Sequence, residues 1–195
     1  MKKIFILLIL IFNFNNNLIA ESTNKTKRIF EGDKNAKITI ITYESLTCGH
    51  CANFHKDVYP QLKEEFIDTG LVKIEFRNFP LDMAALNAAK IAHCINDGNS
   101  NLLHILYSNQ KKWAKGENID EANKYLKKLL KDQEINIDFE KCITEKNIEE
   151  YVLNDRIEGV KKFKVNATPT IIINDKKFDK ALNYKNLKEY LKKLI

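Results

Sequence analysis

Apolar and polar positions along the chain change period several times, and each change predicts an element. Residues 21–35 are polar and read as a loose lead-in. Lys37 to Ser45 (KITIITYES) is rich in β-branched residues and reads as a buried strand. After a break at Leu46-Thr47 the pattern turns helical from Cys48, with Phe54, Val58, Leu62 and Phe66 spaced by four. Pro60 lies inside that helix and is expected to kink it, because it removes a backbone donor and clashes with the preceding turn. Thr69-Gly70 ends the helix, and Leu71 to Phe76 alternates as a second strand. Strand, helix, strand is a βαβ crossover, which implies a parallel pair.

Residues 82–158 read as almost entirely helical. Met83 to Ile95 is Ala-rich and stops at Asp97-Gly98; Leu102 to Lys115 and Asp120 to Lys131 are amphipathic; Asn147 to Lys162 follows, with a possible break at Gly159. Pro169 then precedes a short strand, Thr170 to Ile173. Asn174-Asp175 turns the chain, Lys176 to Phe178 returns as a hairpin partner, and a helix runs from about Asn186 to Ile195. The order βαβ, helices, ββα predicts an α/β fold: one sheet with a helical insertion at 82–158, in a single domain spanning 21–195, rather than two independent cores.

The first twenty residues stand apart. Met1-Lys2-Lys3 is a basic start, Ile4 to Phe12 an unbroken apolar run, and Ala20 a small residue at a plausible cleavage point. This is the anatomy of a secretory signal peptide, and the run is short for a bilayer span. An uncleaved N-terminal anchor is the other reading, since Leu18 fits poorly three residues before the cut. Both place the remaining chain outside the cytoplasm: periplasmic, or tethered to the membrane facing that side.

Composition narrows the function classes. With 195 residues, 44% hydrophobic and 30% charged, 6 Gly and 3 Pro, the chain is neither disordered, collagen-like nor a polytopic membrane protein. Removal of the leader takes Lys2 and Lys3, lowering Lys+Arg from 32 to 30 against 26 acids and the net charge from +6 to +4. The surplus is scattered, as in Lys127-Lys128 and Lys161-Lys162, with no aromatic-interleaved basic stripe; nucleic acid is not an expected partner.

Four cysteines, Cys48, Cys51, Cys94 and Cys142, fall in an exported chain where disulfide chemistry is permitted. Cys48-Gly49-His50-Cys51 lies at a strand-to-helix junction. Unpaired N–H groups and the partial positive charge of the first turn stabilise a thiolate at Cys48, and protonated His50 adds to that. Cys51 is three residues on, close enough to close a tight disulfide. The expectation is an exposed attacking Cys48 and a more buried resolving Cys51, working by thiol–disulfide exchange with no metal and no organic cofactor. Half a zinc site is the first alternative, but no second C-x-x-C or H-x₃-H is present, and His55 and His93 read as isolated surface or core residues. A purely structural Cys48–Cys51 bond is the second. Thr168-Pro169, just before a strand, is the other candidate element: a cis bond there exposes the backbone groups of Thr168 to an extended substrate, whereas a trans proline simply opens the strand.

On the stretches Ser45 to His55 (SLTCGHCANFH), Arg77 to Asp82 (RNFPLD), Gly159-Val160 and Ala167 to Thr170 (ATPT), the sequence resembles the thioredoxin-like DsbA family of exported thiol–disulfide oxidoreductases. The resemblance covers nearly all of 30–195. It implies a thioredoxin fold, dithiol oxidation of exported polypeptides, a cis bond at Pro169 and a DsbB-type membrane protein that re-oxidises the pair; we expect a monomer. Gly49 with Thr168 and Pro169 is expected to border the substrate. Two departures matter. Gly49-His50 stands where many DsbA-like proteins carry Pro-His, and Gly-His is similar to protein disulfide isomerases, which implies a weaker oxidant (~−180 mV against ~−120 mV). Thr42 stands six residues before Cys48, where many relatives carry an acid; Glu44, two residues on, shares its face if the strand is regular.

Cys94 and Cys142, if joined, enclose 48 residues of insertion, for on the order of 4 kcal/mol of stabilisation. Two buried free thiols are the alternative. Some DsbA-like proteins carry a similar second pair, and a structural disulfide is the expectation.

Three functions compete on the sequence: an oxidase donating the Cys48–Cys51 bond, an isomerase or reductase kept reduced, and a thioredoxin-fold chaperone or binding module without redox turnover. Familiar periplasmic isomerases carry an extra N-terminal dimerisation domain, against the roughly fifteen residues that follow the expected leader here. For a binding module, a reactive pair is a liability.

Overall fold

The computed structural model describes residues 25–195; the expected leader at 1–20 lies outside the described residues. Five strands form one sheet in the order β1-β3-β2-β4-β5: β1 Ile29–Glu31, β2 Ile38–Glu44, β3 Val72–Asn78, β4 Thr170–Ile173 and β5 Lys176–Lys177. β2 and β3 run parallel, Ile40 opposite Ile74, joined by the crossover helix. β4 pairs antiparallel with β2, Tyr43 opposite Thr170, so the start of β4 lies beside the end of β2. Among the described residues no helix is long and apolar enough to cross a membrane.

The lead-in is a correction. Ile29–Glu31 adds to the sheet edge antiparallel to β3, Ile29 opposite Phe76. Three residues are too few to show a period. The strand is held by burial of Ile29 and by Arg28, whose Nη1 donates to Asp155 Oδ1 at 2.6 Å.

The crossover helix, α1, occupies 49–67 and alternates in winding: α-helical at Gly49–Asn53, π-helical at Phe54–Val58, α-helical at Tyr59–Leu62 and π-helical again at Lys63–Ile67. Pro60 therefore does not end the helix. It sits in the first turn of an α-helical stretch, where its missing N–H costs least, and the wider π turns on either side absorb the change of register. The insertion comprises α2 Met83–Cys94, α3 Asn101–Ser108, α4 Gln110–Trp113, α5 Ile119–Asp132, α6 Phe139–Thr144 and α7 Lys146–Phe163; α8 Tyr184–Leu191 closes the chain. Asp82, Asn118, Asp138 and Asn183 cap α2, α5, α6 and α8, each accepting a backbone N–H of the first turn.

Two expected boundaries move. Leu102 to Lys115 is two helices, broken at Asn109. α7 runs unbroken through Gly159, because that glycine packs on Tyr43: a Cβ there would lie 2.7 Å from Tyr43 Cε1. One buried cluster contains sheet, α1, insertion and α8 residues together, from Ile40 and Ile74 through Leu62 and Trp113 to Leu187. A smaller one on the opposite sheet face holds Tyr43, Phe79, Phe163, Val165 and Ile172. β2 alternates between them, Ile40 facing the large cluster and Tyr43 the small one.

Candidate active site

Strand β2 delivers the chain to the site and helix α1 carries it away. Between them Cys48 is the N-cap of α1, extended at φ −77° and ψ 119°, its carbonyl accepting the N–H groups of Cys51 at 3.1 Å and Ala52 at 3.2 Å. The loop is fixed from three sides. Cys48 N donates to Ser45 O at 3.0 Å. Thr47 Oγ1 donates to Asp82 Oδ2 at 2.8 Å, tying the loop to the cap of α2. Gln110 Nε2, buried, donates to the carbonyls of Leu46 at 2.8 Å and Cys48 at 2.9 Å. Gln110 was not visible as a site residue in the sequence, since nothing in a lone Gln on a lysine-rich helix marks it.

Cys48 is half-buried and Cys51 wholly buried, and both are free thiols. Their acidities diverge. Hydrogen bonding from the Cys51 thiol, then from Thr168 and from the backbone N–H groups of Cys51 and His50, outweighs burial and lowers Cys48 to about 5. Burial foremost, then the neighbouring Cys48 and the charge of Glu44, push Cys51 far above the ordinary thiol value. The sequence expectation placed helix polarity and a charged His50 first. In the structure the His50 ring is exposed, and it is the His50 backbone N–H that favours the thiolate.

The Thr168-Pro169 peptide bond is cis. Thr168 O accepts a hydrogen bond from the Cys48 thiol at 3.3 Å, and its buried Oγ1, which has no other protein partner, is the hydroxyl that favours Cys48 once it is ionised. A groove of about 590 Å³ runs beside the two, lined among others by His50, Asn53, Thr168, Pro169, Leu182 and Tyr184. Gly49 is exposed, with open space where a side chain would project. Cys48, Cys51, His50, Gly49, Thr168 and Pro169 thus come together around one sulfur. Cys94 and Cys142 do not: they form a disulfide with Cα atoms 5.6 Å apart, joining the end of α2 to α6. Cys142 lies within the short α6, just ahead of α7.

His55 is not isolated. Its Nε2 donates to Glu44 Oε2 at 2.7 Å, its Nδ1 meets His104 Nδ1 at 3.2 Å, and Tyr107 stacks on its ring at 4.0 Å. His104 Nε2 in turn meets Glu31 Oε1 at 2.7 Å. His93 is buried and held at about 4 by that burial; its Nε2 accepts from Asn78 Nδ2 at 3.0 Å. Glu44 and Thr42 are both buried, on the one face of β2 that strand alternation gives them. Among the described residues no group of three or more His, Cys, Asp or Glu side chains could hold a metal ion.

A thioredoxin sheet with a C-x-x-C pair at the start of its crossover helix and a cis-proline opposite defines a class, and comparison agrees: the family model described as thioredoxin matches residues 23–193, and the chain belongs to that family. Within it the protein is DsbA-like. It is similar to the crystal structure of Wolbachia pipientis alpha-DsbA1 at 31% identity and a TM-score of 0.76, covering 86% of this chain and 90% of that one. A putative protein-disulfide oxidoreductase of Rickettsia bellii is 30% identical over 149 residues, 73% of this chain and 55% of that protein. A probable disulfide bond formation protein D of Bacillus cereus is 29% identical over 167 residues, 82% of this chain and 74% of that protein. The chain therefore spans about half the length of its rickettsial relative.

Proposed function

We propose that the protein is an exported thiol–disulfide oxidoreductase that introduces disulfides into exported polypeptides. The observation that carries this reading is the split acidity of one pair: Cys48 ionised at neutral pH, hydrogen-bonded to Cys51 and Thr168, beside a Cys51 that stays protonated. A stabilised Cys48 thiolate is a good leaving group from a mixed disulfide with substrate, so the bond passes readily to a second substrate thiol and the reduced pair is favoured, which makes the couple oxidising. A substrate thiolate attacks Cys48 sulfur; the Cys48–substrate bond forms, the Cys48–Cys51 bond breaks, and its electron pair leaves on Cys51. A second substrate thiolate then attacks the substrate sulfur and releases Cys48 as thiolate. The substrate dithiol is oxidised and the protein pair reduced by two electrons. Exposed backbone at Thr168 pairs with the extended substrate, and Gly49 leaves the approach clear. A DsbB-type membrane oxidant restores the disulfide.

A second reading, isomerase or reductase, rests on Gly49-His50. The reduction potential of the Cys48–Cys51 couple decides between them: a value near ~−120 mV marks an oxidase, one near ~−180 mV an isomerase-like poise, and one near the ~−270 mV of thioredoxin overturns the oxidase reading. Gly49→Pro, tolerated sterically at the first helical position, is expected to make the couple more oxidising; an unchanged equilibrium with glutathione contradicts that.

A further inference from the structure

The exchange chemistry leaves one difficulty inside the fold. Breaking the Cys48–Cys51 bond deposits charge on a sulfur with no exposed surface, among apolar side chains. An uncompensated buried anion is costly, so a proton has to reach Cys51 when it leaves and depart when it attacks. Cys51 has no direct path to water, and the polar chain that begins at Glu44 is the one feature of the site that the exchange steps do not use.

That chain is continuous. It runs Glu44–His55–His104–Glu31, with contacts of 2.7 Å, 3.2 Å and 2.7 Å, and ends at Glu31 Oε2, which accepts from the Tyr59 hydroxyl and faces Lys63 Nζ at 3.6 Å. Its inner end is sealed: the Glu44 and His55 side chains are 3% and 6% exposed. Its outer end is open, the His104 side chain being 27% exposed. His55, Tyr59, Lys63 and His104 line a groove of about 1190 Å³ on the face of α1 that also presents Gly49 and His50.

Hydrogen-bond bookkeeping fixes the proton content. Each Nε2 faces a carboxylate oxygen, an acceptor, and so carries a proton. The two Nδ1 atoms face each other and need one proton between them: none would oppose two lone pairs, two would oppose two N–H groups. Four ring nitrogens thus share three protons, and the pair carries one mobile proton between two carboxylates.

We propose that His55 and His104 form a proton relay that supplies Cys51 through Glu44 and is refilled from the groove past Glu31. This rests on the oxidoreductase reading and deepens it. As the disulfide breaks, the proton on His55 Nε2 passes to Glu44 and on to Cys51 sulfur while His104 Nδ1–H moves to His55 Nδ1; both rings are then neutral, and the pair is recharged by one proton taken up from solvent. Of the two protons released by the substrate dithiol, one balances this uptake and the other stays in solvent. When Cys51 attacks during re-oxidation the flow reverses.

Glu44 Oε1 and the Tyr107 hydroxyl are both buried without hydrogen-bond partners, and Glu44 and Tyr107 line a small cavity of about 10 Å³ whose lining does not include Cys51. The charge of Glu44 acts on Cys51, and Tyr107 feels the charges of both Glu44 and Cys51, so the three groups are electrostatic neighbours. The groups facing the histidine pair are Glu44 from β2, Glu31 from β1, Tyr59 and Lys63 from α1 and Tyr107 from α3, with the Phe76 ring of β3 stacked on His55 and Asp68 paired with Lys63.

His55 and His104 act through Glu44, so they are positioning residues, and the test is a pH profile. The reduced full chain is mixed with oxidised glutathione. Cys48 forms a mixed disulfide, Cys51 closes the ring by expelling glutathione, and acid quench with mass spectrometry follows the intermediate. A thiol far below its ionisation point becomes about tenfold more available per pH unit. The parent protein is expected to show a shallower slope, because the relay takes the proton directly. In His104→Gln, whose partly exposed ring makes it the milder change, closure is expected to slow at least tenfold near pH 6, to regain a slope of about tenfold per unit, and to recover with added imidazole, which the groove admits. Glu31→Gln is expected to give a weaker version of the same profile. Parent and His104→Gln profiles that superimpose overturn the relay. A parent protein that forms the mixed disulfide and never closes it overturns the oxidoreductase reading instead.

Discussion

The molecule contains two cysteine pairs, and they differ in every respect except composition. Cys48 and Cys51 are three residues apart at a strand-to-helix junction, one half-exposed and one buried, with acidities driven in opposite directions. Cys94 and Cys142 are 48 residues apart on two insertion helices and form a disulfide across them. Reactivity follows from asymmetry. Hydrogen-bond donors converge on Cys48 and none of comparable effect reaches the buried Cys51, so Cys48 departs readily from a mixed disulfide while Cys51 holds its proton. The Cys94–Cys142 bond closes a long loop around packed helices, where its effect is on the unfolded chain.

The comparison breaks most sharply at Cys48. Cys48→Ser is expected to reduce dithiol oxidation of a model peptide to background, since the attacked sulfur is gone, while thermal stability of the insertion stays unchanged. Peptide oxidation retained in that variant would falsify the assignment of roles. The paired change Cys94→Ala with Cys142→Ala is expected to do the reverse: a loss of on the order of 4 kcal/mol in denaturant unfolding from opening a loop of 48 residues, with Cys48 still ionising near 5. A shifted alkylation midpoint at Cys48 in that double variant would show the two pairs to be coupled.

A subtler distinction concerns pH. Cys48 is lowered from 9.0 to about 5 in the folded reduced protein, so its contribution to stability is absent below about 5, grows as pH rises and is complete above 9.0. Cys51 is raised, so its contribution is present below 9.0 and lost above. The melting temperature of the reduced form relative to the oxidised form is therefore expected to climb between about pH 5 and pH 8. A flat difference across that window contradicts the Cys48 acidity, and the Cys94–Cys142 pair, which does not titrate, contributes nothing to it. The smallest expected effect is at Thr168→Ala: loss of the hydroxyl donor raises the iodoacetamide midpoint of Cys48 by about one pH unit and leaves the second pair untouched.

Much of the site was legible because its determinants are local. Cys48, Gly49, His50 and Cys51 are consecutive, and the strand before them and the helix after them announce themselves by period. Thr168-Pro169 was legible as a motif, although only the β2–β4 register, Tyr43 opposite Thr170, shows why it meets Cys48. Glu44 was readable as a strand-face residue and no more. Gln110, His104 and Glu31 come from α4, α3 and a three-residue strand with no period to read, and His55 looked isolated because its partners are 11 and 49 residues away.

The order of elements, the placement of a reactive thiol pair where a strand becomes a helix, and the α/β class are written locally in the chain, because hydrophobic period and helix-end chemistry act over a few residues. Only the folded molecule set which donors stabilise the Cys48 thiolate and how far the two acidities diverge, how Pro60 is accommodated and which distant side chains meet beside the buried sulfur. Those depend on desolvation and on hydrogen bonds between segments far apart in the chain, which are set only when the core closes.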